Sequence, residues 1–284
     1  MNMNPMPNRT ISPGHFVKEN YRLLFLSILF LLTYIPTFLW MWERWFVHDS
    51  YYTHGILIPF VTCFLIWQKR EELVQMKPIG SPLGVPLVIS GLLIHLVSSL
   101  LRVYFTSGFS FLIVLIGLIL YFYGMAILKK IWFPIAFLVF MIPIPEVAIA
   151  NISFRMKLFA AELATVCLNH MRLPALREGS VIMMRHANIT VDDVCSGLRS
   201  LIALTALGSI FAYLMTSTLI KKIFLFFSTI PIAIITNIFR IVFLATIAEI
   251  WGPRYAQGFI HDLSGFSVFF LAFILLFSVG RSLE

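Results

Sequence analysis

The sequence predicts an all-α polytopic integral membrane protein of about eight transmembrane helices. Three observations lead there: the composition, a series of apolar stretches near bilayer length, and a one-sided placement of Lys and Arg. Hydrophobic residues make up 60% of the 284 and charged residues 12%, against about 25% charged in an ordinary soluble domain. That balance excludes a soluble enzyme and a disordered chain. Three cysteines are too few to staple a secreted scaffold of this length. The net charge of +8 comes without any charge run long enough for a basic arm, so no nucleic-acid partner is expected and the charge reads as topology.

A spanning helix needs about 20 mostly apolar residues. Eight stretches qualify in chain order: Leu23–Trp42, Ile56–Trp67, Leu83–Val103, Phe109–Leu128, Ile131–Ala150, Cys195–Thr216, Ile223–Ile250 and Leu263–Val279. The second is short, and the seventh is long enough to be tilted or broken. The first lacks a small-residue cleavage site and reads as retained. With the N-terminus inside, the cytoplasmic segments hold Arg9, Lys18, Arg22, Lys69, Arg70, Lys77, Lys129, Lys130, Lys221, Lys222 and Arg281, while the short outer loops hold only Arg44, Arg102 and Arg254. This positive-inside bias predicts N-in, C-in topology.

Residues 151–194 then form the one sizeable extracytoplasmic piece. Phe154, Leu158, Ala161 and Val166 recur at helical spacing with Arg155, Lys157 and Glu162 between them, which suits an interfacial helix. Val181–Met184 and Asn188–Val194 are β-rich and predict a small hairpin on the membrane surface. No repeat or second domain is visible, so residues 1–284 are expected to be a single membrane domain.

The informative side chains are those expensive to bury. An ionisable group within a span costs at least about 2.5–3.5 kcal/mol and marks a functional candidate. Arg240 and Arg199 lie inside spans, Cys195 opens the sixth, and His261 stands just ahead of the eighth. Arg240 follows Ile223 by 17 residues, roughly 25 Å of helix. With the predicted topology, Cys195, Arg240 and His261 all reach the outer interface. Thiol acyl transfer needs these residue types. A thiolate is favoured at a helix N-terminus or beside a cation, and Arg240 supplies a permanent one. Gly197 keeps the turn open, so backbone donors near Ser196–Gly197–Leu198 face a developing oxyanion. His261 titrates near neutrality and serves as acid and base. Asn237, at i−3 from Arg240, orients it or holds a substrate carbonyl. His54 is a supporting candidate on the same side.

Each residue also has a plainer role. Cysteines in membrane helices are most often small packing residues, as expected for Cys63 and Cys167. Arg199 pairs with Asp192 or Asp193, and an acidic group of a substrate has Arg199 or basic residues of 151–194 such as Arg177 and Arg185 as equal candidate partners. Asp193 caps the sixth helix, and His54 caps an interfacial turn. A second functional class is open as well: a lipid-carrier flippase or transporter whose arginines bind an anionic headgroup and which needs no thiol. No H-E-x-x-H helix, nucleotide loop or metal-ligand spacing is present, so neither metal nor cofactor is expected.

Five motifs in order, DSYYTHGILIP (49–59), FPIAFLVFMIPIP (133–145), DVCSGLRSL (193–201), TNIFRIV (236–242) and FIHDLSGF (259–266), resemble those of the exosortases and the related archaeosortases. The chain is similar to their short, single-domain members. The resemblance implies that Cys195 is the nucleophile and that Arg240 and His261 are its partners. It implies a cysteine peptidase or transpeptidase in the bacterial inner membrane, with its active site at the periplasmic face. The implied substrates are exported proteins ending in a Pro-Glu-Pro sorting signal, one transmembrane helix and a basic tail. The new C-terminus would pass to water or to an acceptor, such as a polysaccharide- or lipid-linked group.

Overall fold

A computed structural model of the protein describes residues 13–192 and 195–284. Asp193, the expected cap of the sixth helix, lies outside the described residues. The chain is mostly helical. It divides into two compact units, one of residues through Trp42 with Arg70–Ile131 and one of Glu43–Lys69 with Trp132–Glu284.

In the first unit α1 (Pro13–Thr33) runs into α2 (Ile35–Phe46) through a 56° bend. Pro36 explains the break, because it lacks an N–H for the Leu32 carbonyl and its ring crowds that group. After the short α4 (Arg70–Gln75), α5 (Gly84–Leu100) and α6 (Tyr104–Lys130) form a hairpin. Its seam is written at seven-residue spacing: Gly84, Gly91 and Ser98 are the buried positions of α5, and Ser110, Gly117 and Gly124 lie on the buried side of α6. A Cβ on Gly84 would stand 2.6 Å from the Tyr121 amide nitrogen, and one on Gly117 2.9 Å from that of Val88. The helix backbones therefore touch, the usual way to gain van der Waals packing where lipid removes the hydrophobic drive. Hydroxyls tie the α1–α2 bend to this hairpin. Tyr34 Oη meets Ser110 Oγ at 2.9 Å, Thr37 Oγ1 meets Ser107 Oγ at 2.6 Å, and His95 Nδ1 meets the same Ser107 Oγ at 2.8 Å.

The second unit holds α3 (Leu57–Gln68), α7 (Trp132–Phe137), α8 (Glu146–His170), a three-stranded sheet, α9 (Leu198–Leu214), α10 (Leu219–Trp251) and α11 (Phe259–Leu283). Residues 132–141 and 146–170 meet at 82°, where Pro143 and Pro145 stop one helix and start the next. Nothing in 146–170 interrupts α8, so the interfacial helix expected from residue 151 is the continuation of α8. Its end is marked by Arg172 at φ 64° and by paired bonds between the Asn169 amide and the Ala175 backbone, at 3.0 and 2.9 Å. The expected hairpin gains a strand: β1 (Leu176–Glu178), β2 (Val181–Met183) and β3 (Asn188–Thr190) pair antiparallel in that order. Gly179 and Ser180 make the first turn, with Gly179 at φ 61°, which suits a two-residue hairpin loop.

Buried Ile182 of the sheet packs with Ala161, Ala164 and Leu168 of α8 against Ile241 and Ala245 of α10, and Cys195 belongs to the same cluster. Leu204, Leu225, Ala233 and Leu276 join α9, α10 and α11 in a second core. The seventh predicted span is a single helix despite Pro231. Among the described residues α6, α10 and α11 are each long and apolar enough to cross a membrane, and the two bent pairs bring the number to five. The shorter apolar helices are 53–68, α5 and α9. The protein is membrane-embedded.

Candidate active site

The site begins in the turn ahead of α9. Cys195 N–H donates to the Asp192 carbonyl at 2.9 Å, and Gly197 is the helix N-cap at φ 84°. The helix starts at Leu198, three residues later than the sequence suggests, because a left-handed residue cannot sit inside the first turn. Cys195 therefore stands in a turn upstream of the apolar helix α9. From α10, Asn237 donates Nδ2–H to the Cys195 carbonyl at 2.9 Å. This is its place in the site, rather than a bond to Arg240. Asn237 also leaves no room at Gly197, where a Cβ would lie 2.8 Å from its Cγ. The Leu198 N–H donates to Ser196 Oγ at 3.3 Å, so one of the backbone donors expected to face an oxyanion is already engaged.

A substitution of Gly197 by Ala meets both the backbone and the steric obstacle. Gly197→Ala is expected to destabilise the protein by about 1–3 kcal/mol. A lowered thermal midpoint in detergent, together with faster alkylation of Cys195 as its turn loosens, checks this.

Arg240 is 9% exposed and fully occupied by α11. Its Nε donates to Ser264 Oγ at 3.0 Å, and its Nη2 donates to the His261 carbonyl at 3.2 Å and lies 3.3 Å from His261 Nε2. Ser264 in turn donates to the His261 carbonyl at 2.6 Å. The Cys195 sulfur is 3.1 Å from the same Nε2. Guanidinium carries only donors, so the tautomer that bonds to Arg240 through Nε2 is the one with its proton on Nδ1. The Cys195 S–H then points its proton at Nε2. Burial pushes the Cys195 thiol up, Arg240 and Arg199 pull it down, and Asp192 adds to the rise; the net direction is upward. The site thus holds a thiol beside a base rather than a standing thiolate.

These residues line a cavity of about 880 Å³. Its opposite wall comes from residues 48–57. Arg199 reaches Asp49, with Nη2 3.3 Å from Oδ1, rather than the Asp192 expected from the sequence; the alternative partner, Asp193, lies outside the described residues. Asp49 is itself left-handed, at φ 61°. His54 sits in a 3-10 turn (Thr53–Ile56) with its ring 6.0 Å from that of Tyr52, and it lines the same cavity. It caps no helix by a side-chain bond.

Cys195, Arg240 and His261 thus meet, and Asn237, Ser196 and Gly197 build the turn beneath them. Two contributors escape sequence reasoning. Ser264 reads as a helix cap, although its i+3 spacing from His261 puts both on one face. Asp49 gives no signal, because its partner is 150 residues away. All three cysteines are free, with Cys63 and Cys167 exposed and Cys195 buried.

The comparisons agree with the motifs. The family described as Transmembrane exosortase (Exosortase_EpsH) matches residues 42–278, a stretch that takes in every residue of this cavity. Neither a curated protein nor a solved structure matches the chain. The family match alone spans most of the sequence, from the helix before Asp49 to beyond His261, and by it the chain belongs to the transmembrane exosortases.

Proposed function

We propose that this exosortase is a cysteine peptidase or transpeptidase that cuts a C-terminal Pro-Glu-Pro sorting signal through a Cys195 thioester. The observation that carries the reading is one nitrogen with two neighbours: His261 Nε2 lies 3.1 Å from the Cys195 sulfur and 3.3 Å from Arg240 Nη2. As sulfur attacks the scissile carbonyl carbon, its proton passes to Nε2 and the carbonyl electrons move to oxygen. Protonated Nε2 no longer accepts from Arg240, so Nη2 is released toward the new oxyanion. Collapse breaks the C–N bond, the leaving amine takes the proton from Nε2, and a thioester remains. Water or an acceptor nucleophile then gives its proton to Nε2 and attacks the thioester, and the sulfur leaves and recovers a proton. Arg240 and His261 are catalytic in this scheme. Asn237 and Ser264 act through them as positioning residues.

In the same proposal the chain crosses the bacterial inner membrane eight times with both ends cytoplasmic. The cavity opens at the periplasmic face, where the substrate's own helix docks from the bilayer. Residues 1–284 form one catalytic membrane domain. The substrates are exported proteins bearing the signal, a transmembrane helix and a basic tail, and the acceptor is water or a polysaccharide- or lipid-linked group. Mass spectrometry of the processed substrate made in H₂¹⁸O tests the reading. Hydrolysis puts one ¹⁸O into a new C-terminal carboxylate at the signal, and transfer leaves the mass of an acceptor there. A substrate recovered with its original C-terminus overturns the proposal.

A further inference from the structure

The cavity that Cys195 lines also holds polar groups that the chemistry above does not use. Arg199 makes one contact there, its Nη2 to Asp49 Oδ1 at 3.3 Å, while its Nε is buried without a hydrogen-bond partner. A guanidinium offers its donors as parallel pairs, and a carboxylate that meets such a pair makes two bonds. Asp49 uses half of the fork. It also has a partner elsewhere, since His48 Nδ1 lies 2.8 Å from its other oxygen. Asp49 can therefore leave Arg199 without becoming an unpaired charge. His54 Nε2 is likewise buried without a partner and lines the same cavity.

We propose that Arg199, with His54 beside it, is a recognition subsite for a carboxylate side chain of the peptide lying over Cys195, and that Asp49 holds the subsite until that carboxylate displaces it. The inference rests on the peptidase reading and names what selects the substrate. The exchange leaves Arg199 paired with one carboxylate before and after, while Asp49 keeps its contact with His48. Asp49 and Asp192 both line the cavity and oppose a doubly charged phosphate more than a single carboxylate. The subsite thus selects an acidic peptide over a phosphorylated headgroup. Arg199 touches no reacting bond in this arrangement; it is a specificity-determining residue.

Two measurements test it. The first compares processing of the natural signal with one in which its Glu is replaced by Gln. Wild-type enzyme is expected to prefer Glu by about tenfold in kcat/KM. Arg199→Gln brings the two signals level through KM, Arg199→Lys keeps part of the preference, and Asp49→Asn lowers KM for the Glu signal. An unchanged preference in Arg199→Gln overturns the subsite and leaves the peptidase reading standing. The second measurement needs no processing. The rates of Cys195 alkylation by iodoacetate and by iodoacetamide are compared by peptide mass mapping, and the iodoacetate advantage is expected to fall several-fold in Arg199→Gln. An advantage indifferent to Arg199 again overturns the subsite. An Arg199-dependent advantage in a protein that never processes the signal supports anion binding and refutes the peptidase.

Discussion

Under the proposed mechanism, Cys195→Ala is expected to abolish processing of the sorting signal, with a loss of at least about 10³-fold, in a protein that melts within a few degrees of wild type. The buried methyl group keeps most of the packing that the thiol makes with Ile241 and Ala245, and the backbone bond from Asn237 to residue 195 does not involve the side chain. Only the nucleophile is removed. Membranes containing the variant and a tagged substrate give the answer by the absence of the smaller product. A flippase would keep its activity without this thiol, so full processing or undiminished lipid transfer in Cys195→Ala sinks the assignment. The same thiol has a pH signature. Burial raises it overall, so alkylation by iodoacetamide is slow near neutrality and accelerates as pH climbs past the range of an ordinary thiol.

Under the same mechanism, Arg240→Lys is expected to lower kcat by about 10²–10³-fold and to change KM little. Arginine spans Ser264 Oγ, the His261 carbonyl and His261 Nε2 with two nitrogens. A lysine ammonium is a point charge on a flexible stem and does not reproduce that fork. Charge alone is therefore insufficient, and the conservative substitution fails nearly as badly as Arg240→Met. The two variants part in titration. Arg240 pulls the Cys195 thiol down against its burial, so Arg240→Met moves the alkylation profile to still higher pH, while Arg240→Lys retains part of the original position. Steady-state processing rates at saturating substrate, set beside alkylation profiles, separate lost geometry from lost charge. A Lys variant with wild-type kcat contradicts the proposed role of the fork.

Much of the site is legible because its residues are costly where they stand. Arg240, His261 and Cys195 are conspicuous in a chain with so few polar residues, and helical rise alone brings them toward one level. Gly197 is legible for a different reason: a glycine two residues after a candidate nucleophile signals a backbone that other residues adopt with strain, as its φ of 84° bears out. The partner of Arg199 is not legible. The sequence offers the nearby Asp192 and Asp193, while Asp49, 150 residues away, is brought in by tertiary folding. Asn237 is placed on the Arg240 face by its spacing, yet its bond goes to the Cys195 carbonyl, a choice made by a turn that no periodicity describes. In the fold, apolar stretches mark where helices run but not their bends. Those at Pro36 and at Pro143–Pro145 interrupt segments whose hydropathy is continuous. Arg172 ends α8 and three short strands follow, too brief for an alternation pattern to count them.

The length of α10 has a consequence for how lipid acts on this enzyme. Its 33 residues extend about 50 Å at about 1.5 Å per residue, against a hydrocarbon layer of about 30 Å. Such a rod outreaches the layer whatever its tilt within the usual range. Differences in acyl-chain length are taken up by leaning the rod or by sliding its ends through the headgroups, at a fraction of a kcal/mol per ångström. Asn237 and Arg240 ride on that rod, and the turn carrying Cys195 is bonded to it. A thicker or thinner bilayer therefore carries Cys195, Arg240 and the His261 bonded to them up or down together, and leaves their mutual distances intact. Bilayer thickness acts on the depth at which the enzyme meets its substrate, not on the geometry of its chemistry.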